Sequence, residues 1–317
     1  MASSTSVHNV RVATVRLPTG TRAAAALAGG GDGDGEPLAW HLLPHRDVGE
    51  LLREGDDDAD GGGWRGASRR ALAGPARDVL IEQPDFAPLV LDPRKVVCCG
   101  HNYRAHIEEM GRPIPASPTL FTKFADTLAG ARDDLVLPAH AREVDWEGEL
   151  AVVVGAPLLH ATREQARAAI AGYAAANDLS VREAQRRTTQ WLPGKAFDAT
   201  MPLGPWLVDS RDVDPADGLR LTCEVNGEQV QQGSTADLVF DAADLLVEIS
   251  SFTRLSPGDV VLTGTPGGVG TAMNPPRELA DGDVVRVAVE GVGAVRNTIR
   301  FTSTNTSSTD EQRGAAA

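Results

Sequence analysis

The sequence predicts an α+β protein that is mainly β, and three observations predict it. Short apolar runs recur between glycine and proline turns in the second half of the chain, as at 206–208, 219–226, 260–262 and 284–290. Segments with helical periodicity are few and short. The chain has 317 residues, enough to bury a core without disulfide or metal staples.

Residues 10–16 read as a first strand, followed by a Gly/Asp-rich run at 29–35. That run lacks the Lys-Ser/Thr of a phosphate loop and reads as a solvated loop. Residues 40–43 return as a strand and 47–53 form a short helix. A second acidic loop, 55–63, lacks the ligand spacing of a calcium site. Residues 87–93, with two prolines, read as a linker. Strands are expected at 96–99, 135–138 and 146–154, and helices at 102–110 and over the alanine-rich 163–176. The tail from 302 is polar and Ser/Thr-rich, the composition of disorder. The expected division is a flexible N-terminus (1–8), a small N-terminal α+β domain (9–91), a catalytic domain (92–302) and a disordered tail (303–317).

A formal charge of −14 repels polyanions, which argues against nucleic acid or anionic membranes as partners. A small anionic substrate is still admissible, because a bound cation reverses the field locally. The three cysteines, Cys98, Cys99 and Cys223, are odd in number and irregular in spacing, so no disulfide framework is expected. A reducing compartment, the cytoplasm, follows. Residues 1–8 lack a secretory pattern. The longest apolar stretch, 150–159, falls short of the roughly 20 residues that span a bilayer.

The chemistry concentrates in four places. In Val144-Asp145-Trp146-Glu147-Gly148-Glu149-Leu150, the two glutamates are two apart at the end of an apolar strand and face one side. Buried carboxylates so close need a positive partner or a proton, and oxygen ligands suit a hard divalent cation. A wet strand end that solvates both is the plainer alternative. In Asn177-Asp178-Leu179-Ser180-Val181-Arg182-Glu183-Ala184-Gln185, Ser180 and Glu183 have capping-box spacing. Asp178, Arg182 and Gln185 then share one helical face, able to bind a metal and an anion side by side or simply to face solvent. In Gly100-His101-Asn102-Tyr103-Arg104-Ala105-His106-Ile107-Glu108-Glu109, His106 and Glu109 meet on a helix and make a candidate general base, or a surface pair. Lys195, between a turn and Phe197, can point into a cleft and stabilise an oxyanion. The glycine-rich run 262–270 offers backbone N–H groups for an anion but supports neither a P-loop nor a dinucleotide fold.

These segments, together with Pro118-Thr-Leu-Phe-Thr-Lys-Phe124, Gly194-Lys195-Ala-Phe-Asp198, Pro202-Leu-Gly-Pro-Trp206, Val225-Asn-Gly-Glu228 and Thr263-Gly-Thr265-Pro-Gly-Gly-Val-Gly270, resemble the fumarylacetoacetate hydrolase family over roughly residues 92–302. The shorter bacterial branch fits better, because the extra metal carboxylate of the long branch has no counterpart. The aspartate motif departs mildly, with Glu183 where the family usually has Asp. The resemblance implies a β-roll-like C-terminal domain, a homodimer, and Mg²⁺ or Mn²⁺ on Glu147, Glu149 and Asp178, with Ca²⁺ as the substitute expected in crystals. It implies a His106/Glu109 dyad, Lys195 as a catalytic lysine, and substrate contacts from Tyr103, Arg182, Gln185, Gly264 and Thr265. The expected reaction is cleavage of a C–C bond in a small acylpyruvate or β-keto acid through a metal-stabilised enolate, with the dyad activating water. The alternatives are an isomerase/decarboxylase or hydratase of a 2-hydroxy-dienedioate, a recruited role in specialised metabolism, or a non-catalytic ligand-binding relative.

Overall fold

A computed structural model of the chain describes residues 9–29, 37, 39–55, 62–73, 80–109, 111 and 113–303, without the side chains of Leu80, His106 and Glu109. The flexible terminus expected at 1–8, most of the two acidic glycine-rich loops and the tail beyond 303 lie outside the described residues.

The observed architecture is mainly β, as expected. A twelve-stranded sheet runs in the order Leu80–Ile81, Trp40–Leu42, Gly20–Leu27, Val10–Leu17, Met201–Asp209, Ile170–Asn177, Gly148–Val154, Val260–Leu262, Val96–Gly100, Thr119–Lys123, with two short strands paired off this path. The N-terminal strands therefore continue the same sheet as the later ones, through Arg11↔Val208 and Val12↔Leu207. A second, five-stranded sheet contains Arg220–Val225, Val284–Val289 and Gly293–Phe301. It presses on the first at Gly148, where an added Cβ would lie 3.0 Å from Val287 Cγ1 and 3.3 Å from Leu221 Cδ2. Among the described residues, no helix is long and apolar enough to cross a membrane.

The central strand Gly148–Val154 is buried along its whole length. Alternate residues serve opposite cores: Leu150, Val152 and Val154 enter one cluster, Ala151 and Val153 the other. Such two-sided burial reads in sequence as a continuous apolar run.

The helix expected over 163–176 is half right. Arg163–Ala168 is helical and opens on a capping box between Thr162 and Gln165. Ile170–Asn177 is a fully buried strand, antiparallel to the central strand on one side and to Met201–Asp209 on the other. Alanine favours helix in isolation, but this slot needs small side chains between two neighbours. An added Cβ on Gly172 would come 1.9 Å from the Val208 carbonyl oxygen, so the small residues record close packing rather than helicity.

The capping box expected at Ser180 and Glu183 is also absent. Ser180–Val181 is a short strand paired with Val144–Asp145. The Ser180 hydroxyl donates to the Asp178 carbonyl (2.9 Å), and Arg182–Gln185 begins without a side-chain cap. The strand expected from 146 begins at Gly148, and the helix expected over 102–110 spans Arg104–Glu109.

Candidate active site

The ladder Gly148↔Asn177 and Glu149↔Ala176 brings two strand ends side by side. It continues one step further, where the Asp178 N–H donates to the Glu147 carbonyl (2.8 Å). The Asn177 side chain closes the corner by accepting the Glu147 N–H (2.9 Å). This pairing carries Glu147, Glu149 and Asp178 to one point, where one oxygen of each lies within 4.8 Å of the others. All three are buried: Glu147 is 8% exposed, Glu149 1% and Asp178 0%.

Three cations surround them. Lys195 Nζ donates to Glu147 Oε2 and to Asp178 Oδ2, both at 2.7 Å. Lys123 Nζ donates to Asp178 Oδ1 (2.8 Å). Arg182 places Nη1 2.6 Å from Glu147 Oε1 and Nε 2.8 Å from Asp145 Oδ2. Lys195 is itself buried, with its ammonium 5.1 Å from the centre of the Phe121 ring.

The carboxylates differ electrically. Burial pushes the Glu147 carboxyl up, but Lys195 and Arg182 outweigh it and hold it at about 2. Burial, then the charges of Asp178 and Glu147, push the Glu149 carboxyl well above the usual range, against Lys195 and the Gly264 N–H. Glu149 accepts that N–H at 2.6 Å, and among the described residues no cation forms an ion pair with it. The four buried acids (Asp145, Glu147, Glu149, Asp178) outnumber the three buried cations (Lys123, Arg182, Lys195) by one, and the acid left over is Glu149, whose carboxyl is pushed up. Three hard oxygen donors converging, one of them without a paired cation, fit a divalent cation such as Mg²⁺ or Mn²⁺.

The glycine-rich loop is tied to the same centre. The Gly264 N–H serves Glu149, and the Thr265 hydroxyl donates to the Gly148 carbonyl (2.9 Å) and accepts from Gln231 Nε2 (2.8 Å). Gly264 holds a φ of +98°, which favours glycine. The anion this loop cradles is therefore the protein's own carboxylate.

A cavity of about 670 Å³ opens above the cluster and is lined by Glu147, Arg182, Gln185, Lys195 and Thr265 together with Cys99, His101, Phe121 and Trp191. Tyr103 is 1% exposed and does not line this cavity, and its buried hydroxyl has no hydrogen-bond partner among the described residues. Gln185 Oε1 accepts from Arg182 Nη1 (3.0 Å). The backbone of Arg104–Glu109 carries His106 and Glu109 as a helix, and their side chains lie outside what the structure describes.

Two residues of the network escaped the sequence reasoning. Lys123 sat in a quoted motif without a role. Asp145, 1% exposed, accepts from Trp146 N (2.9 Å), Gly270 N (2.7 Å), Thr271 N (3.1 Å) and Arg182 Nε (2.8 Å). The detectable signal for Asp145 was an acidic residue inside an apolar segment, which demands a partner.

A β-rich scaffold that gathers three carboxylates beneath an open cavity is an enzyme architecture. Comparison with known proteins supplies the particular family. Residues 95–300 match the family model described as fumarylacetoacetate (FAA) hydrolase C-terminal, and the chain belongs to that family. It is 44% identical over 234 residues to the mitochondrial oxaloacetate tautomerase FAHD2A of Homo sapiens, covering 73% of this chain and 74% of that protein. Among solved structures it resembles the fumarylacetoacetate hydrolase of Exiguobacterium antarcticum, with a TM-score of 0.76 and 30% identity, over 92% of this chain and 100% of that one. It also resembles a 5-carboxymethyl-2-hydroxymuconate delta-isomerase of Mycobacterium smegmatis, with a TM-score of 0.73, 30% identity and the same coverage.

Proposed function

We propose that the protein is a divalent-metal-dependent enzyme that cleaves a C–C bond of a small 2-oxo acid, an acylpyruvate or a β-keto acid. Glu147, Glu149 and Asp178 hold the metal in this proposal. The observation that carries it is the convergence of these buried carboxylates, within 4.8 Å, with Glu147 among them on the lining of a cavity. When bound, Mg²⁺ or Mn²⁺ supplies Lewis acidity that draws electron density from the 2-oxo and carboxylate oxygens of the substrate.

The chain's own groups do the rest. Lys195, held between Glu147 and Asp178, keeps both carboxylates in place and presents a fixed positive charge beside the oxygen where negative charge develops. Arg182 fixes Glu147 against Asp145. Gln185 through its side-chain N–H₂ and Thr265 through its backbone N–H, both on the cavity wall, offer donors to the bound acid. In the proposal, His106, oriented by Glu109, takes a proton from water for attack on the distal carbonyl. A homodimer belongs to the same proposal, and light scattering on the purified protein tests it.

A second reading is tautomerisation or isomerisation of a 2-oxo diacid, favoured by the names of the relatives, an oxaloacetate tautomerase and a hydroxymuconate isomerase. It uses the same charge stabilisation and moves a proton between carbon and oxygen with no water attack. Chelator-stripped protein, with and without restored Mg²⁺ or Mn²⁺, is given acetylpyruvate and oxaloacetate, following enol absorbance and pyruvate release. Metal-dependent pyruvate release from acetylpyruvate supports hydrolysis. Pyruvate from oxaloacetate alone supports decarboxylation, and enol loss without pyruvate supports the second reading. Metal that fails to bind removes the basis of both.

A further inference from the structure

The cavity is graded. Its floor carries Glu147, Lys195 and Arg182, and one wall is aromatic and apolar, with Cys99, Phe121 and Trp191. Trp191 comes from the segment before the short helix Leu192–Lys195, and its ring lies against the end of Val96–Gly100. Gly100 makes this approach possible, since an added Cβ there would come 2.3 Å from Trp191 Cζ3 and 2.8 Å from Cη2. Phe121 and His101 pack edge-on against the ring, with centroids at 5.4 Å and 5.3 Å. Contacts from three sides fix an aromatic surface beside the charged floor.

The lysine and arginine side chains that line the cavity are already engaged by the protein's acids. Lys195 bridges Glu147 and Asp178, Arg182 spans Asp145 and Glu147, and Arg186 pairs with Glu143. Among the described cavity residues there is no other lysine or arginine; the Arg186 side chain is half-exposed, and His101 sets its ring edge-on against Trp191. A cavity of about 670 Å³ is also far larger than a four-carbon diacid requires.

We infer that the substrate's distal group is a flat, uncharged acyl tail that packs on Trp191, which makes the substrate class a 2,4-dioxo acid with an aryl or extended alkyl end. Trp191 is then the residue that sets tail specificity. The inference rests on reading the floor as a 2-oxo acid site. An aromatic ring stacked on a fixed indole gains both apolar burial and ring–ring attraction, whereas a carboxylate pressed on the Cys99, Phe121 and Trp191 wall loses water and gains neither.

The test compares benzoylpyruvate, acetylpyruvate and oxaloacetate on the Mg²⁺-loaded full chain, as wild type and as Trp191→Ala, Trp191→Phe and Gly100→Ala. Turnover gives kcat and KM, and calorimetry gives Kd for any acid that binds without being turned over. The wild type is expected to prefer benzoylpyruvate. Trp191→Ala raises KM or Kd for benzoylpyruvate about tenfold, with acetylpyruvate changed less than about threefold. Trp191→Phe recovers most of the loss and remains informative if the alanine variant misfolds. Gly100→Ala, which displaces the ring without removing it, behaves like Trp191→Ala. Equal effects on the benzoyl and acetyl acids, or a wild type that prefers oxaloacetate, overturn the inference and leave the 2-oxo acid reading standing. Failure of all three acids to bind or react overturns both.

Discussion

Replacing Asp145 by Asn tests whether the site is held from beneath. Asp145 is buried, and its two oxygens take four donors: Trp146 N and Gly270 N on Oδ1, Thr271 N and Arg182 Nε on Oδ2. Asn keeps the volume and one acceptor oxygen, but turns the other position into an N–H₂ that faces donors. Whichever way the amide is flipped, two donors lose their acceptor and Arg182 loses half of its countercharge. Truncating one member of a buried ion pair costs about 3–5 kcal/mol, and a buried unsatisfied donor costs about 1–3 kcal/mol. Arg182 keeps Glu147 at 2.6 Å, and the loop can relax toward solvent at Thr271. The expected loss for Asp145→Asn is therefore about 3 kcal/mol, at the low end of these ranges. Against a total of roughly 5–15 kcal/mol for a folded protein, the chain stays folded and the difference is measurable. Asp145→Ala, with all four donors stranded, is expected to lose about 5 kcal/mol and to fold poorly. Urea unfolding followed by tryptophan fluorescence reads the global loss. Amide exchange at Gly270 and Thr271 reads the local one, and should quicken in the Asn variant. A midpoint shift worth less than about 0.5 kcal/mol, the scale of an ordinary surface substitution, with unchanged exchange at both amides would mean that Asp145 does not hold the site.

Three further outcomes follow, one from the same network and two from other buried groups. Lys195→Met removes the ammonium between Glu147 and Asp178; the metal-free protein should lose about 3–5 kcal/mol. Its melting temperature should rise more on adding Mn²⁺ than that of the wild type, because the added charge replaces the missing one; an equal rise in both proteins counts against it. Arg65→Ala should cost about 3 kcal/mol, since its guanidinium makes paired bonds to Asp209 at 2.5 and 2.7 Å and lies 4.3 Å from the centre of the Trp64 ring; a thermal scan with an unchanged midpoint contradicts this. Burial pushes the thiols of Cys98, Cys99 and Cys223 up, Cys99 to about 12, so an aromatic disulfide reagent at pH 8 should find no fast thiol in the folded protein and all three cysteines in guanidinium. A fast-reacting Cys99 would show that the cavity wall opens more widely than its burial implies.

The carboxylate cluster was legible because a strand has period two. Glu147 and Glu149 had to share a face, and their resemblance to a known motif added Asp178. The ladder that joins them was not legible, because Ile170–Asn177 carries the composition of a helix and becomes a strand through its neighbours. Alanine there satisfies a packing limit that only the folded sheet imposes. Lys123 and Asp145 were missed for a related reason. Lys123 pairs with a residue 55 positions away and Asp145 with a loop 125 positions away, and no local pattern encodes such distances. Lys195 was expected to face a cleft. The structure adds that its ammonium is bonded to two of the proposed metal ligands. The distal wall left no trace in the sequence, since Gly100, Phe121 and Trp191 are ordinary residues until the fold stacks them.

The carboxylates and the wall above them have different origins in the chain. Glu147, Glu149 and Asp178 all come from one antiparallel strand pair and its immediate ends, fixed by a single register. The cavity wall is assembled from separate stretches, around 99–101, 121, 185–191 and 265–272. Substitutions around 99–101, 121 and 191 can reshape what the cavity admits while the strand register keeps the carboxylates together. The fold therefore behaves as a fixed socket with interchangeable walls, and inheritance of the socket alone does not fix which molecule a descendant accepts.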